Sequence, residues 1–220
     1  MNFNVAIDGP SAAGKSSIAK LIAKKYQLIH LDTGAMYRCV AYKAIQNNIN
    51  LDDEKSLKEM LDNTKIYFDV KGEVFLDDNN VSEAIRDNCI SMGASIVSKL
   101  KSVRENLVER QKEMSRGKGY VLDGRDIGTV VLKDAEVKIY MIASEQARAN
   151  RRYQQNLVKG INTDYQQLVE EIKARDYQDI NRINSPLTKA ADAIEIDTSK
   201  LSIVDVVAKV SEIIEEKVKK

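Results

Sequence analysis

Residues 9–16 read Gly9-Pro10-Ser11-Ala12-Ala13-Gly14-Lys15-Ser16. They lie between an apolar run, Phe3 to Ile7, and a helical pattern in which Ile18 and Ile22 share one face. Glycine near both ends lets the backbone curl so that successive N–H groups point at one anion, and the start of the helix adds partial positive charge. The segment therefore predicts a phosphate-binding loop between a strand and a helix.

Two side chains of this loop suit a nucleoside triphosphate bound with Mg²⁺. Lys15 is expected to bridge the outer phosphates as a point charge, and the Ser16 hydroxyl is expected to ligate Mg²⁺ jointly with them. Such loops occur in motors, GTPases, kinases and nucleic-acid ATPases. The sequence has no Asn-Lys-x-Asp pattern, which small GTPases use to read guanine, so a GTPase is disfavoured.

Five short apolar runs have the length and spacing of buried strands, and each is flanked by a helical pattern. They are Phe3 to Ile7, Leu28 to Leu31, Tyr120 to Leu122, Val137 to Ile142 and Ala193 to Ile196. Strands that alternate with helices form a parallel sheet covered on both faces. The sequence therefore predicts an α/β fold of the P-loop class, built on a five-stranded parallel sheet.

The connection between the second and third strands is too long for one helical crossover, which indicates an insertion. Within it, Lys65 to Val70, Val74 to Leu76 and Val81 have the pattern of short antiparallel strands. Turns are predicted at Lys71-Gly72 and at Asp77 to Asn80. We expect a small inserted α+β domain in this part of the chain.

Two segments nearer the C-terminus also have recognisable patterns. The polar stretch Tyr153 to Asp164 lies between two charged helices and is a candidate flap. In the last helix, predicted over Leu201 to Lys219, Ser202 followed by Asp205 is a capping-box start. The buried stripe predicted for that helix is Val204, Val207, Ala208 and Ile214.

Composition is that of an ordinary globular protein. The chain has 220 residues, 43% of them apolar and 30% charged, which is enough for one main core. Because 34 basic and 33 acidic residues give a net charge of +1, no global field attracts nucleic acid. Cys39 and Cys89 have no metal or redox spacing, and no run is apolar enough to span a membrane. We expect a cytoplasmic protein without nucleic-acid or membrane partners.

Charged and hydroxyl side chains follow two of the predicted strands. Thr33 and Arg38 come after the second strand, and Asp123, Arg125 and Asp126 come after the third. In open α/β sheets, the carboxyl edge at which such residues lie is the edge that binds ligands. Asp123 is suited to orient hydrated Mg²⁺, and the arginines are suited to hold phosphate.

Two predicted helices each carry three charged residues on one face. These sets are Arg148, Arg151 and Arg152 at i, i+3 and i+4, and Arg175, Asp179 and Arg182 at i, i+4 and i+7. Each set by itself also fits a solvated, salt-bridged helix face. Their position beside the candidate flap favours a role in binding.

Four segments, taken together, resemble the bacterial cytidylate kinases. They are Ile7-Asp8-Gly9-Pro10-Ser11, Leu31-Asp32-Thr33-Gly34-Ala35-Met36-Tyr37-Arg38, Asp123-Gly124-Arg125-Asp126-Ile127-Gly128-Thr129-Val130-Val131 and Glu171-Ile172-Lys173-Ala174-Arg175-Asp176. They occur in that family's order, and the resemblance covers nearly the whole chain. It implies MgATP-dependent phosphorylation of CMP and dCMP, with UMP a poorer acceptor.

The resemblance also implies roles for the candidate residues. The ATP-binding set would be the loop residues Gly9 to Ser16, the next residue Ser17, and the flap-side Arg148, Arg151 and Arg152. The CMP-binding set would be Thr33, Tyr37, Arg38, Ser95, Arg104, Arg125, Asp126, Arg175, Asp179 and Arg182. The catalytic set would be Lys15, Asp123, Arg125 and Arg182.

Within the CMP-binding set, the resemblance divides the work by substrate group. The acceptor phosphate would be held by Thr33, Arg38 and Arg125. Cytosine would be read by Ser95, Arg104 and Asp126. The ribose would be contacted by Arg175 and Asp179, and Arg182 would lie between the phosphates. Asp126 can accept a hydrogen bond from the 4-amino group of cytosine, whereas uracil presents a carbonyl there. That chemistry predicts discrimination against UMP.

The implied domains are a core of residues 1–33, 104–152 and 168–220, a monophosphate-binding domain of residues 34–103 and a lid of residues 153–167. Mg²⁺ is the expected cofactor, ATP the cosubstrate and a monomer the expected state. Relatives often have Gly-Thr where this chain has Ser16-Ser17, so either hydroxyl could meet Mg²⁺. A kinase for another small acceptor, a nucleotide-binding regulator and a nucleic-acid ATPase remain alternatives.

Overall fold

The computed structural model describes residues 3–69 and 72–218. The strands and helices are, in chain order, β1 (Val5–Asp8), α1 (Lys15–Tyr26), β2 (Ile29–Asp32), α2 (Thr33–Gln46), α3 (Glu54–Asp62), β3 (Ile66–Phe68), β4 (Val74–Leu76), β5 (Asn79–Asn80), α4 (Asn88–Val97), α5 (Lys101–Met114), β6 (Tyr120–Gly124), β7 (Val137–Ile142), α6 (Glu145–Val158), α7 (Tyr165–Asn181), β8 (Ile194–Asp197) and α8 (Ile203–Val218). A short 3₁₀ turn (Ala84–Arg86) precedes α4, and a π-helical turn (Ile127–Val131) follows β6.

The main sheet has the strand order β2-β6-β1-β7-β8. Strand β1 pairs in parallel with β6 and β7, so that Asp8 lies opposite Gly124 on one side and Tyr140 on the other. Strand β7 pairs in parallel with β8. Each predicted strand overlaps one of these strands, which confirms the predicted α/β fold with a five-stranded parallel sheet.

The chain forms two compact units, residues 1–28 with 118–220 and residues 29–117. In the first unit, one face of β1 and β7 packs against the apolar stripes of α1 and α8. The core forms because alternate residues of each strand point to this face and residues three to four apart share one face of each helix. Its most buried members include Val5, Ile7, Ile22, Ile139, Met141, Val210 and Ile214.

Of the two features predicted for helix α8, the capping box is confirmed and the buried stripe is not. The Asp205 amide donates to Ser202 Oγ at 3.2 Å and the Ser202 amide donates to an Asp205 carboxylate oxygen at 3.1 Å, which is the reciprocal capping box. The predicted stripe is wrong except at Ile214, with Val207 only partly buried. The buried positions are instead Val206, Val210, Ser211 and Ile214, and Val204 is 77% exposed.

In the second unit, helices α2 and α4 pack closely. A Cβ atom at Gly93 would lie 3.1 Å from Ala41 Cβ and 3.1 Å from Leu51 Cδ1, so a glycine is needed where α4 approaches its neighbours. The antiparallel sheet has the order β3-β4-β5. Strands β3 and β4 are held in part by the stacked rings of Tyr67 and Phe75, whose centroids are 5.0 Å apart.

The third strand of that sheet is Asn79–Asn80, so the prediction that Val81 forms a strand is wrong. The physical reason lies in the turn, because Asp77 and Asp78 both have positive φ, 47° and 67°. Two such residues make a tight hairpin loop, and the return strand therefore starts at Asn79. Val70, at which the first strand of this domain was predicted to end, and Lys71, the first residue of the predicted Lys71-Gly72 turn, lie outside the described residues.

The first half of the candidate flap is helical and the second half is not. Helix α6 continues to Val158, and α7 begins at Tyr165, where Asp164 caps it by accepting a hydrogen bond from the Gln167 amide at 2.7 Å. The two helices pack through a small buried cluster of Ala149, Leu168, Val169 and Ile172. In the described ranges, none of the helices is both long and apolar enough to cross a membrane.

Candidate active site

The phosphate-binding loop leaves β1 at Asp8 and enters α1 at Lys15. Gly9 has φ of +147°, and a Cβ atom there would lie only 2.0 Å from the carbonyl oxygen of Met141. Gly14 has φ of +96° at the N-cap of α1, and Ala12 has φ of +58°. The loop is therefore held in a curled conformation that only glycine tolerates at Gly9.

Lys15 is a buried ammonium, 6% exposed, and its Nζ donates a hydrogen bond to the Pro10 carbonyl at 2.7 Å. Burial, the largest cause, and the neighbouring Arg125 together lower the pKa of Lys15 to about 7, although Asp123, Asp179 and Asp8 oppose this. A bound anion would favour the charged form of this lysine. The Lys15 ammonium thus lies against the loop that the motif predicts to bind phosphate.

Two arginines of α6 hold the backbone of the same loop. Arg148 donates to the Ser11 carbonyl at 3.1 Å, and Arg151 donates to the Ala13 carbonyl at 3.2 Å. Arg148 is 3% exposed, so its face of α6 is not a solvated one. Arg152, the third member of that set, is half-buried.

A carboxylate on α7 fixes Arg148 in turn. Asp176 forms an ion pair with Arg148 at 2.6 Å, with side chains 14% and 4% exposed. The Arg148 Nε also donates to the Ala143 carbonyl at 2.9 Å, so both ends of the guanidinium are held. A buried, multiply bonded arginine of this kind has one defined orientation.

Oxygen atoms from two elements meet beside the loop. The Ser16 hydroxyl donates to an Asp123 carboxylate oxygen at 2.6 Å, and Asp123, on β6, is 4% exposed. Ser17 is exposed. A hydroxyl and a carboxylate oxygen are ligands that Mg²⁺ accepts, and the two fit the sparse protein contribution usual when phosphates supply the other ligands. Within 3–69 and 72–218, no three His, Cys, Asp or Glu side chains cluster as a complete metal cage.

An arginine–aspartate network lies at the end of β6. Arg125 Nε donates to an Asp179 carboxylate oxygen at 2.7 Å. Arg182 Nη2 is 3.7 Å from Asp126 Oδ1, and Arg182 Nη1 is 3.8 Å from Asp179 Oδ1. Although burial raises the pKa of Asp179, Arg125, with Arg175 and Arg182, holds it below its ordinary value. These charges form a nearly buried clamp suited to anions.

Arg182 reaches this network from outside the helix, which corrects the prediction that it shares a helical face with Arg175 and Asp179. Helix α7 ends at Asn181, and Arg182 has extended backbone angles. The chain turns back here, with Ser185 at φ of +50°, so that the Leu187 amide donates to the Asp179 carbonyl at 2.8 Å.

The second unit carries the remaining candidate residues. Thr33 is buried at the start of α2, and Asp32 caps this helix through the Ala35 amide while pairing with Arg38 at 2.8 Å. Burial raises the pKa of Asp32, but Arg38 and His30 hold it below its ordinary value.

Helices α4 and α5 of that unit carry the predicted base-reading pair. Arg104 is 3% exposed, and its guanidinium lies 5.5 Å from the centre of the Tyr37 ring. It also donates to the Ser98 carbonyl at 3.3 Å. Ser95 is half-buried on α4.

A family model described as Cytidylate kinase matches residues 5–216. The chain belongs to the cytidylate kinase family. The match spans all four motifs on which the resemblance rested, and it confirms that resemblance. The cytidylate kinase of Pediococcus pentosaceus is 51% identical over 217 residues, which cover 97% of this chain and 96% of that protein. The cytidylate kinase of Bacillus subtilis is 49% identical over 218 residues, or 98% of this chain and 97% of that protein.

Two solved structures share the fold. An uncharacterised protein from Eubacterium ventriosum has a TM-score of 0.55 at 14% identity, covering 97% of this chain and 98% of its own. A shikimate kinase from Acinetobacter baumannii, solved with shikimate, has a TM-score of 0.52 at 14% identity, covering 99% of this chain and 96% of its own. At such identities, these likenesses show the fold alone.

Three residues of this cytidylate kinase family member contribute to the site without having been assigned a role from the sequence. Asp176 pairs with Arg148, Thr198 binds the Ala13 carbonyl at 3.2 Å beside Arg151, and Asp8 binds backbone amides beyond β6. Asp176 could have been found from its i, i+3 spacing to Asp179 on a predicted helix. Thr198 carries no local signal, because it is distant in sequence from the loop that it supports.

Proposed function

We propose that this protein transfers the γ-phosphoryl group of MgATP to CMP or dCMP, giving ADP and CDP or dCDP, with UMP a poorer acceptor. The observation that carries the proposal is the cytidylate kinase match over residues 5–216, which includes both the phosphate-binding loop and the arginine–aspartate network. The proposed setting is the cytoplasm, and the proposed state is a monomer.

On the donor side, the residues Gly9 to Ser17 bind the ATP phosphates, through the Lys15 ammonium and through the main-chain N–H groups that all of them except Pro10 possess. The buried ammonium supports this role because it gains a counter-charge from a bound phosphate. Ser16 and Asp123 would hold Mg²⁺, with Ser16 preferred to Ser17 because its hydroxyl already contacts Asp123. When bound, Mg²⁺ neutralises phosphate charge and orients the phosphates.

On the acceptor side, Arg125 and Arg182 neutralise the phosphates, with Thr33 and Arg38 also binding the acceptor phosphate. Asp179 supports this proposal because it holds Arg125 in one orientation and contacts Arg182. The ribose is proposed to contact Arg175 and Asp179. Cytosine is proposed to contact Ser95, Arg104 and Asp126, and the Tyr37 ring packs against the Arg104 guanidinium.

The transfer needs no general base, because an oxygen of the acceptor phosphate is already a nucleophile at neutral pH. The chain's contribution is to bring that oxygen in line with the γ-phosphorus and to stabilise negative charge as it spreads over the transferring group. Lys15, Arg125 and Arg182 supply the positive charges. Their extensive burial strengthens these interactions by excluding water.

The proposed domains are a core of residues 1–33, 104–152 and 168–220, a monophosphate-binding domain of residues 34–103 and a lid of residues 153–167. We also propose that Arg148, Arg151 and Arg152 act on the ATP side. Arg148 and Arg151 support this indirectly, since they bind the carbonyls of the loop that carries the ATP phosphates.

The test is the initial rate of ADP formation from MgATP with CMP, dCMP, UMP, AMP and GMP in parallel. The proposal predicts rapid turnover with CMP and dCMP, slow turnover with UMP and little with the purine nucleotides. It also predicts that chelation of Mg²⁺ abolishes the activity. Turnover with another acceptor only, or ADP formation that requires DNA or RNA, would overturn the cytosine assignment.

A further inference from the structure

Asp8 ends β1 immediately before the phosphate-binding loop, and its carboxylate is 4% exposed. One oxygen accepts a hydrogen bond from the Ile127 amide at 2.8 Å, and the other accepts one from the Gly128 amide at 2.7 Å. Both are main-chain donors of the π-helical turn that follows Asp126. Asp8 therefore ties this turn to the central strand of the sheet.

Such a turn needs an external acceptor at its start. Its internal bonds run from the Val130 amide to the Asp126 carbonyl at 2.9 Å and from the Leu132 amide to the Ile127 carbonyl at 2.7 Å. The first amides of a helical turn have no acceptor within it, and a buried amide without one costs stability. An ionised carboxylate is among the strongest acceptors for such amides.

Asp126 occupies the N-cap position of the turn but does not cap it. An N-cap aspartate usually accepts a hydrogen bond from an amide two or three residues ahead. Here the Asp126 side chain makes no capping bond, and one of its oxygens lies 3.7 Å from Arg182 Nη2 instead. Asp8 supplies the caps, so the Asp126 side chain is not used to cap the turn.

The turn packs against Asp8 at Gly128. A Cβ atom at Gly128 would lie 3.4 Å from Asp8 Oδ2 and 3.3 Å from Lys138 Cδ. A side chain at this position would therefore touch the Asp8 carboxylate, which a glycine does not.

We infer that Asp8 is a positioning residue for acceptor recognition: by capping the turn it fixes the orientation of Asp126, and through it the preference for cytosine over uracil. The inference rests on the proposed function, in which Asp126 accepts a hydrogen bond from the 4-amino group. Uracil offers no such donor, so displacing Asp126 costs CMP turnover more than UMP turnover.

The test is the ratio of kcat/KM for CMP to that for UMP, measured for the wild type and for Asp8→Asn. The amide of asparagine can accept from one main-chain amide but presents its own N–H groups to the other. We expect the ratio to fall about tenfold, the equivalent of one charge-assisted hydrogen bond, while the KM for ATP changes less than twofold. A residue that merely stabilised the fold would lower both acceptor rates equally.

Two further variants sharpen the test. Gly128→Ala places a methyl group in contact with the same carboxylate oxygen and should lower the ratio by a smaller factor, so it serves if Asp8→Asn fails to fold. Glu136→Gln is the matched control, because Glu136 accepts from the Asn4 amide at 2.9 Å near the opposite end of β1. We expect this control to leave the ratio unchanged.

The outcomes separate this inference from the proposed function. If Asp126→Asn lowers the ratio while Asp8→Asn and Gly128→Ala leave it unchanged, the role assigned to Asp8 is wrong and the base-reading proposal stands. If Asp126→Asn itself leaves the ratio unchanged, then Asp126 does not read the base and both fail.

Discussion

Two ionisable side chains flank the phosphate-binding loop, and the fold withdraws both from water. Lys15 is 6% exposed and Asp8 is 4% exposed. Burial lowers the pKa of the first to about 7 and raises that of the second to about 6, so in each the charged form is disfavoured. Burying a charged side chain destabilises the fold, and buried charges of this kind are typical of functional sites, where a charge must be held in one position.

The pKa of Asp8 predicts how stability depends on pH. Burial raises that pKa to about 6, despite the bonds from Gly128 and Ile127, and Asp126 adds to the rise while Lys15 opposes it. An unfolded aspartate titrates near pH 3.9, so between about pH 4 and 6 the folded protein keeps a proton that the unfolded chain has lost. The contribution of this group to the free energy of unfolding therefore falls as pH rises through that window, by up to about 3 kcal/mol.

Urea unfolding of the wild type and Asp8→Asn at several pH values from 4 to 7 measures this effect. Asparagine does not titrate, so the unfolding free energy of the wild type minus that of the variant should decrease as pH rises. A difference that stays constant would show that Asp8 ionises alike in both states.

The backbone conformation of Ala12 predicts that a glycine at this position stabilises the protein. Its φ of +58° lies in the left-handed region, which costs an L-residue roughly 1–2 kcal/mol and glycine much less. After allowing for the greater freedom of glycine in the unfolded chain, Ala12→Gly should raise the free energy of unfolding by about 0.5–1 kcal/mol. The neighbouring Ala13→Gly, at a buried residue without positive φ, is the control and should lower it. Destabilisation by Ala12→Gly would argue against this loop conformation.

At the scale of elements, helix α7 organises arginines on both sides of the proposed reaction. Asp176 fixes Arg148, which holds the Ser11 carbonyl, and one turn later Asp179 fixes Arg125. The i, i+3 spacing puts both carboxylates on one helical face. The helix is therefore a common support for Arg148, proposed to act on the ATP side, and Arg125, proposed to bind the acceptor phosphate.

This arrangement predicts a selective effect for Asp176→Asn. Removing the negative charge loosens Arg148 and with it the loop, so the KM for ATP should rise roughly tenfold while the KM for CMP changes little. Glu170→Gln is the control, since Glu170 is exposed and pairs with the exposed Lys173 on the same helix. Equal increases in both KM values for Asp176→Asn would indicate a general loss of structure instead.

Local sequence patterns correctly predicted the features of loops and helices that are determined by residues close together in the chain. The glycine loop and the capping box at Ser202 are examples, because each is decided within a few positions of the chain. The same patterns could not choose the buried face of α8, since the run Ile203-Val204-Asp205-Val206-Val207 is apolar on several sides. Nor could they end α7 before Arg182, because that end depends on the return of Leu187 to Asp179.

At the scale of the whole molecule, the alternation of apolar runs and helices was enough to predict the parallel sheet. What it could not predict were the contacts between residues far apart in sequence. Arg148 binds the carbonyl of Ser11, and Asp8 binds the amide of Ile127, across separations that no periodicity spans. These contacts determine how charges are placed around the loop, and they follow only from the packed fold.

The central claim is that Lys15 and Arg125 serve one transfer of phosphate from ATP to CMP. The most direct measurement follows the label of γ-³²P-ATP in the presence of CMP and Mg²⁺, for the wild type, Lys15→Ala and Arg125→Ala, with folding checked by circular dichroism. The account predicts labelled CDP from the wild type and a rate lower by at least about a hundredfold in each folded variant. Label appearing only as inorganic phosphate, or near-normal CDP formation by either variant, would contradict it.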